Sequence, residues 1–251
     1  MTRAFTKMHG IGNDFVVIDC REQPLGLDAD AIRQLGNRHA GVGFDQLLTI
    51  EPARDPDCAF AYGIWNADGS PSGQCGNGAR CVAAWLARAG LLGKGSARLQ
   101  SPSGTVAVEL IEDGRVRVDM GEPRFAPSSV PIAVAVESDT YTIDVVGHTL
   151  EVGAVSMGNP HAVIKVDDVR EAAVNVLGPQ IEHAGVFPLG CNVGFAQVLT
   201  RGEIVLRVWE RGVGETLACG TGACAAVAVL HRRGVLDAQV RVSLAGGALD
   251  I

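Results

Sequence analysis

The feature that most constrains the fold is an internal repeat, because segments of the first half recur in the second half in the same order. "GNDFVVI" returns as "GNPHAVI", "HAGV" occurs twice, and "VGFDQLLT" returns as "VGFAQVLT", at offsets between 144 and 151 residues. A Cys-Gly-x-Gly-Ala segment begins at Cys75 and again at Cys219, and each cysteine follows a tryptophan by ten residues (Trp65 and Trp209). These ordered matches predict two homologous halves.

The boundary between the halves is predicted within "VDMGEPRFAP", residues 118–127, where a glycine and two prolines interrupt the strand pattern. We therefore expect an N-terminal domain over 1–119 that carries Cys75 and a C-terminal domain over 120–251 that carries Cys219. Each half has an ordinary size for a domain.

Apolar periodicity predicts an α+β fold in both halves. Strands are predicted for "FVVIDC", "LLTIE", "GTVAVELI", "RVRVDM", "SDTYTIDVVG", "HAVIKV", "NVGFAQVLT" and "IVLRVWE". Helical spacing predicts "GARCVAAWLARAG" and "GACAAVAVLHRRG"; the second is apolar on most sides and is expected to be buried, with the strands wrapped around it. Another helix is predicted over 28–39, capped by Asp28 or Asp30, and its counterpart over 169–185 should be broken at Pro179.

The two Cys-Gly-x-Gly segments lie where the central helices are predicted to begin. A helix N-terminus has unpaired N–H groups and a partial positive charge, so a thiol there is expected to titrate below its usual pKa. The glycines leave the N–H groups open to an anion such as a carboxylate. If the halves pair about a pseudo-two-fold axis, Cys75 and Cys219 face each other across one cleft. One thiolate could then remove a proton from a ligand carbon while the opposite thiol returns one, which inverts the carbon.

Polar residues near the cysteines are also paired between the halves. Asn13 and Asn159 begin the first repeated segment, Asn66 and Glu210 follow the two tryptophans, and His161 replaces an apolar residue of the first half. The next residue, Arg211, could pair with a carboxylate through two hydrogen bonds. The alternative reading makes the asparagines turn caps, the histidine a strand residue, and the charged residues a surface pair.

Composition excludes several classes of partner. Lys and Arg number 21 and Asp and Glu 28, so the net charge of −7 argues against a nucleic-acid ligand. No apolar run has the length of a signal-peptide core or a membrane span, which predicts a cytoplasmic protein without a membrane partner. Seven cysteines without C-x-x-C do not suggest a disulfide framework, and five are expected to be small core residues: Cys20, Cys58, Cys81, Cys191 and Cys224.

The sequence closely resembles the diaminopimelate epimerase family over nearly its whole length. The matching segments are "MHGIGNDFVVID", "GVGFDQLL", "NADGSPSGQCGNGARC", "SMGNPHAVI", "NVGFAQV" and "WERGVGETLACGTGACAA". The resemblance implies two similar domains, each a β-barrel-like sheet around a central helix, usually in a homodimer. It also implies interconversion of LL- and meso-diaminopimelate in lysine and peptidoglycan precursor synthesis, with no cofactor or metal. The family normally continues past "LAGGALDI" with a segment that returns to the first domain.

The resemblance also implies a role for each matching residue. Cys75 corresponds to the proton donor and Cys219 to the proton acceptor in the LL to meso direction, with His161 and Glu210 as accessory catalytic residues. The implied substrate-binding residues are Asn13, Gln46, Asn66, Gly76, Asn77, Asn159, Asn192, Glu210, Arg211, Gly220 and Thr221.

Four alternatives remain at this stage. One is another cofactor-independent amino acid racemase of the proline racemase type, although Arg211 and the asparagines favour a substrate with a second charged end. Another is a related isomerase group without the cysteine pair. A thiol redox or zinc module is disfavoured by the cysteine spacing. An inactive binding protein would hold the ligand without exchanging its proton with solvent.

Overall fold

The computed structural model describes residues 3–73, 75–111, 113–145 and 147–251. The chain divides into two compact units, Met1–Asp119 and Met120–Ile251. Each unit combines one large sheet with two helices, and this agrees with the predicted α+β class.

The sheet of the first unit has seven strands that follow one another in chain order. They are β1 (Thr6–Gly10), β2 (Asn13–Asp19), β3 (Gln46–Glu51), β4 (Phe60–Asn66), β5 (Gly95–Ser101), β6 (Gly104–Leu110) and β7 (Val116–Val118). The pairs β2/β3 and β4/β5 are parallel, and the other neighbours are antiparallel. Each parallel pair is joined by a helix, as a parallel connection requires.

Two helices, α1 (Ala29–Gly36) and α2 (Gly76–Arg88), make these two connections. The Asp28 carboxylate caps α1 by accepting the N–H of Ala31 at 2.8 Å, as predicted. Helix α2 packs against β1, β2, β3, β6 and β7, so the sheet curls around it. Val82 and Leu86 of α2 are fully buried in the resulting core.

The second unit repeats this plan of two helix-joined parallel pairs within one sheet, which here has eight strands. Its strands are β8 (Tyr141–Val145), β9 (His148–Ser156), β10 (Pro160–Val166), β11 (Asn192–Thr200), β12 (Glu203–Glu210), β13 (Gly214–Thr216), β14 (Arg241–Leu244) and β15 (Gly247–Asp250). The order is β15-β14-β12-β11-β10-β9-β8, and β13 pairs with β12 outside this path. Again the two pairs joined by helices, β10/β11 and β12/β14, are parallel. The helices are α3 (Val174–Glu182) and α4 (Gly220–Arg232).

The strand registers show which residues of the two units are equivalent. In the first unit Phe15 lies beside Gln46, and in the second unit His161 lies beside Asn192. Gln46 therefore corresponds to Asn192, and the predicted match of "VGFDQLLT" with "VGFAQVLT" is wrong by five residues. The first "VGF" precedes β3, whereas the second lies inside β11. Valine and phenylalanine suit buried strands generally, so short apolar strings recur without structural equivalence.

The prediction that Pro179 breaks its helix is also wrong. Helix α3 begins at Val174, later than expected, and contains Pro179. A proline removes one backbone donor, but the buried residues Ile181 and Glu182 hold the last turn in place. Of the five cysteines expected in the core, four are buried and Cys224 is partly exposed.

No helix in the described part of the chain is both long and apolar enough to cross a membrane.

Candidate active site

Cys75 is the N-cap of helix α2. Its backbone is extended, and its sulfur accepts the N–H of Gly78 at 3.4 Å. A side chain at Gly78 would approach Leu48 to 3.3 Å and the Cβ of Cys75 to 3.4 Å, so this glycine lets the sulfur lie close to the helix start. The capping hydrogen bond fixes the sulfur at the positive end of the helix dipole.

Cys219 has the same position and geometry in the second unit. It is the N-cap of α4, and its sulfur accepts the N–H of Gly222 at 3.4 Å. A Cβ at Gly222 would lie 3.2 Å from the Cys219 sulfur and 3.1 Å from Val208. The structure therefore places both predicted cysteines at helix starts, each with a closely packed glycine three residues later.

Polar side chains surround Cys75 within the first unit. The Asn13 amide oxygen accepts from the Cys75 thiol at 3.7 Å and from the Asn77 amide nitrogen at 3.5 Å. The Gln46 amide donates to the Asn66 amide oxygen at 3.0 Å. Asn13 and Gln46 begin β2 and β3, and Asn66 ends the antiparallel β4, so all three belong to one end of this sheet.

The first unit also contains an unsatisfied buried acceptor at this end of the sheet. The Gln46 oxygen Oε1 is buried and has no hydrogen-bond partner among the described residues. A buried amide oxygen without a partner is costly, so a ligand ammonium or N–H group bound here would satisfy it.

A carboxylate accompanies Cys219 in the second unit. The Cys219 thiol hydrogen-bonds the Glu210 side chain, which also accepts from the Thr216 hydroxyl, and Thr221 lies 3.5 Å from the sulfur. Burial raises the pKa of Cys219, and the negative charge of Glu210 raises it further. The prediction of a lowered thiol pKa is therefore wrong for Cys219, because desolvation outweighs the helix dipole and the Gly222 N–H.

Glu210 is half-buried, and the surrounding protein raises its pKa above the ordinary value. Its side chain hydrogen-bonds Thr216 and Cys219 and does not form the surface pair with Arg211 that was the alternative reading. The Cys219–Glu210 pair can therefore hold one proton between a sulfur and a carboxylate.

His161 is almost fully buried, and burial lowers its pKa to about 3, with the Arg211 charge acting in the same direction. At neutral pH the ring is uncharged, and its Nε2 lies 3.0 Å from the Asn159 amide oxygen. Because that oxygen only accepts, Nε2 carries the hydrogen. His161 thus orients Asn159, the counterpart of Asn13.

Arg211 and Asn192 are linked through the backbone. The Arg211 N–H donates to the Asn192 amide oxygen at 3.0 Å, and the guanidinium donates to the Leu189 carbonyl at 3.0 Å. Asn192 begins β11 and Glu210 ends β12, so the second unit places its polar residues at the same end of its sheet as the first.

Two residues of this neighbourhood were missed by the sequence analysis. Glu182 is buried, accepts the Trp209 indole N–H at 2.7 Å and the Gly212 N–H at 2.9 Å, and so fixes the turn that carries Glu210 and Arg211. Thr216 orients the Glu210 carboxylate. A glutamate at the end of an otherwise uncharged helix was the available signal for Glu182, whereas nothing in the sequence distinguishes Thr216.

The described ranges contain no group of three or more His, Cys, Asp or Glu side chains arranged to hold a metal ion.

The fold of two related units recurs in solved structures of racemases and epimerases. A probable proline racemase from Agrobacterium radiobacter K84 matches with a TM-score of 0.69 and 18% identity over 99% of this chain and 84% of that chain. At this identity the likeness concerns the fold alone, and it agrees with the predicted arrangement of a curled sheet around a helix in each unit.

Sequence comparison then identifies the family. The diaminopimelate epimerase family model matches residues 5–126 and 153–251. Diaminopimelate epimerases from Stutzerimonas stutzeri A1501 and Pseudomonas syringae pv. tomato DC3000 are 49% and 48% identical over all of this chain and 91% of each relative. The chain belongs to the diaminopimelate epimerase family and is an isomerase.

Proposed function

We propose that this protein interconverts LL- and meso-2,6-diaminopimelate by removing the α-proton with one cysteine and returning a proton with the other. The observation that carries the proposal is the pair of cysteines, Cys75 and Cys219, at the same helix-capping position in two repeated units. Family membership supports this substrate over proline. We expect the activity to need neither pyridoxal phosphate nor a metal.

The proposal requires the two half-sites to face each other across the bound substrate. The helix starts at Gly76–Asn77 and Gly220–Thr221 would then direct backbone N–H groups at the carboxylate of the reacting end. These dipoles stabilise the negative charge that develops when the α-proton leaves.

The distal amino acid group needs polar partners in a cleft that excludes water. The Gln46 oxygen is a candidate acceptor for the ammonium group, and Asn66 is held beside it. The Arg211 guanidinium can bind a carboxylate through two hydrogen bonds. In this proposal the side chains named above bind the distal amino acid group of the substrate together with Asn13, Asn159 and Asn192.

Proton transfer in the LL to meso direction starts at Cys219. Glu210 accepts the thiol proton, and the resulting thiolate removes the substrate α-proton. The Cys75 thiol delivers a proton to the opposite face of the carbanion and becomes a thiolate. In the reverse direction Cys75 is the base and Cys219 the acid.

An assay of both candidate substrates tests the proposal. Purified protein is incubated with LL-diaminopimelate or with L-proline, and the stereoisomers are separated by chiral chromatography. We expect meso-diaminopimelate to form while L-proline remains unchanged. Racemisation of proline without epimerisation of diaminopimelate would establish the proline racemase alternative.

We also propose that the protein acts in the cytoplasm as a homodimer. The acidic composition and the family resemblance support this expectation. Sedimentation equilibrium on the purified chain, whose mass is 26.2 kDa, distinguishes a dimer from a monomer.

A further inference from the structure

A chain of hydrogen bonds leads from a surface carboxylate to Cys75. Asp45 accepts the Asn13 side-chain N–H at 3.0 Å, and the Asn13 oxygen accepts from the Cys75 thiol at 3.7 Å. Asp45 lies in the loop just before β3 and was not among the site residues expected from the sequence.

The Asp45 carboxylate orients the Asn13 amide together with Asn77, whose side-chain N–H donates to the Asn13 oxygen at 3.5 Å. An ionised carboxylate only accepts hydrogen bonds, so the Asn13 amino group must face Asp45 and its oxygen must face Cys75. Turned the other way, the amide would present an N–H donor to the sulfur and stabilise the thiolate instead of the thiol.

Asp45 is itself held by further hydrogen bonds. Its second oxygen bonds the Arg38 guanidinium at 2.7 Å, and the oxygen that binds Asn13 also accepts the Asp14 N–H at 3.0 Å. Arg38 also donates to the Asp14 carboxylate at 2.7 Å, and the Asp45 backbone N–H donates to the same carboxylate at 2.9 Å. The carboxylate is therefore fixed in position although its side chain is 44% exposed.

We propose that Asp45 is a positioning residue that keeps the Asn13 oxygen directed at Cys75 and so maintains Cys75 as a protonated donor. The use of that proton in catalysis rests on the proposed function, whereas the positioning of Asn13 by Asp45 does not depend on it. Among the described residues of the second unit there is no equivalent arrangement at Asn159, whose oxygen instead lies 3.0 Å from Nε2 of His161. The arrangement of Asp45 and Asn13 therefore acts on Cys75 and not on Cys219.

Thiol alkylation measures this effect without any substrate. The protein is treated with iodoacetamide at pH 7.5, and modification of Cys75 and Cys219 is followed by mass spectrometry of their peptides. In Asp45→Ala, Asn13 is released to turn its N–H toward the sulfur, so Cys75 should react about fivefold faster, as expected for about 1 kcal/mol of hydrogen bonding. Cys219 in the same molecule should keep its rate.

Three variants distinguish a specific effect on the orientation of Asn13 from a general loss of stability in the first unit. Asp45→Asn can still place an oxygen against Asn13, so Cys75 should stay within about twofold of the wild-type rate. Asp19→Ala removes a comparably exposed aspartate that pairs with Arg21, and it should leave Cys75 unchanged. In the Asn13→Ala background, Asp45→Ala should add no further change, because the route through Asn13 is already lost.

An unchanged Cys75 rate in Asp45→Ala, or an additive effect in the Asn13→Ala background, would overturn the proposal. A protein that alkylates as expected but does not epimerise diaminopimelate would leave Asp45 as the positioning residue and contradict the proposed function alone.

Discussion

Cys75 and Cys219 cap two thirteen-residue helices with the same hydrogen bond, from the N–H of the glycine three positions later to the sulfur at 3.4 Å. The polar group beside each thiol differs, because Cys75 donates to the Asn13 amide whereas Cys219 bonds the Glu210 carboxylate. The duplicated backbone thus presents two thiols in chemically distinct settings, and this difference underlies the predictions below.

Replacement of either cysteine should abolish epimerisation without unfolding the protein. Cys75→Ala and Cys219→Ala each remove one proton-transfer group, worth on the order of 10²–10⁴ in rate. Each alanine also removes an N-cap, at a cost of about 1 kcal/mol in unfolding free energy. The serine variants are the matched controls, since a hydroxyl keeps the cap but is a poor base. Serine variants with wild-type stability and substantial activity would contradict the roles given to the sulfurs.

Removal of the carboxylate beside Cys219 should slow catalysis while the fold remains intact. In Glu210→Gln the Cys219 thiol loses the group that accepts its proton, so kcat for LL-diaminopimelate should fall by about 10²-fold or more. The control is Asn66→Asp, which places a carboxylate at the position of the first unit that corresponds to Glu210. Combined with Glu210→Gln, it should not restore the lost rate. Steady-state kinetics measure both, and a Glu210→Gln enzyme with unchanged kcat would show that the carboxylate is not the proton acceptor.

Stability at acid pH should depend on His161. Its folded-state pKa of about 3 lies below its ordinary value of 6.5, so the unfolded chain binds the proton more readily. The free energy of unfolding should therefore fall as pH drops from 6.5 towards 3, by up to about 1.4 kcal/mol per pH unit.

The matched variant for this test is His161→Phe, because the equivalent residue in the first unit is the fully buried Phe15. Urea denaturation of both proteins at pH 7 and pH 4 isolates the histidine, since the other titrating groups are shared. The wild type should lose more stability than the variant on acidification. Equal losses would mean that His161 is not buried in its neutral form.

Mild oxidation should inactivate the enzyme reversibly. If Cys75 and Cys219 share one substrate carbon, their sulfurs are close enough in the working enzyme to form a disulfide. Treatment with an oxidant should give a Cys75–Cys219 peptide pair by mass spectrometry, and a reductant should restore activity. A confirmed bond with unchanged activity would refute the shared site.

The sequence predicted the cysteine caps and both central helices correctly, because glycines at helix ends and helical spacing of apolar residues are local signals. It missed β1, β4, β5, β9, β13, β14 and β15. Among these, the β1 and β5 segments "TKMHG" and "GSARLQS" are polar and are held by pairing with neighbouring strands. The Cys219 pKa was predicted in the wrong direction because neither its complete burial nor the approach of Glu210 can be read from local spacing. Asp45 was missed for the same reason, since its link to Cys75 passes through Asn13, 32 residues earlier.

The most direct test of the two-base account is the early time course of hydrogen exchange in deuterated water. With LL-diaminopimelate as substrate, Cys219 removes protium and Cys75 delivers deuterium from solvent. The meso product should therefore carry one α-deuterium while the unreacted LL-isomer carries none. Product that retains the original protium, or deuterium that enters substrate and product at equal rates, would show that one base serves both faces and would contradict the account.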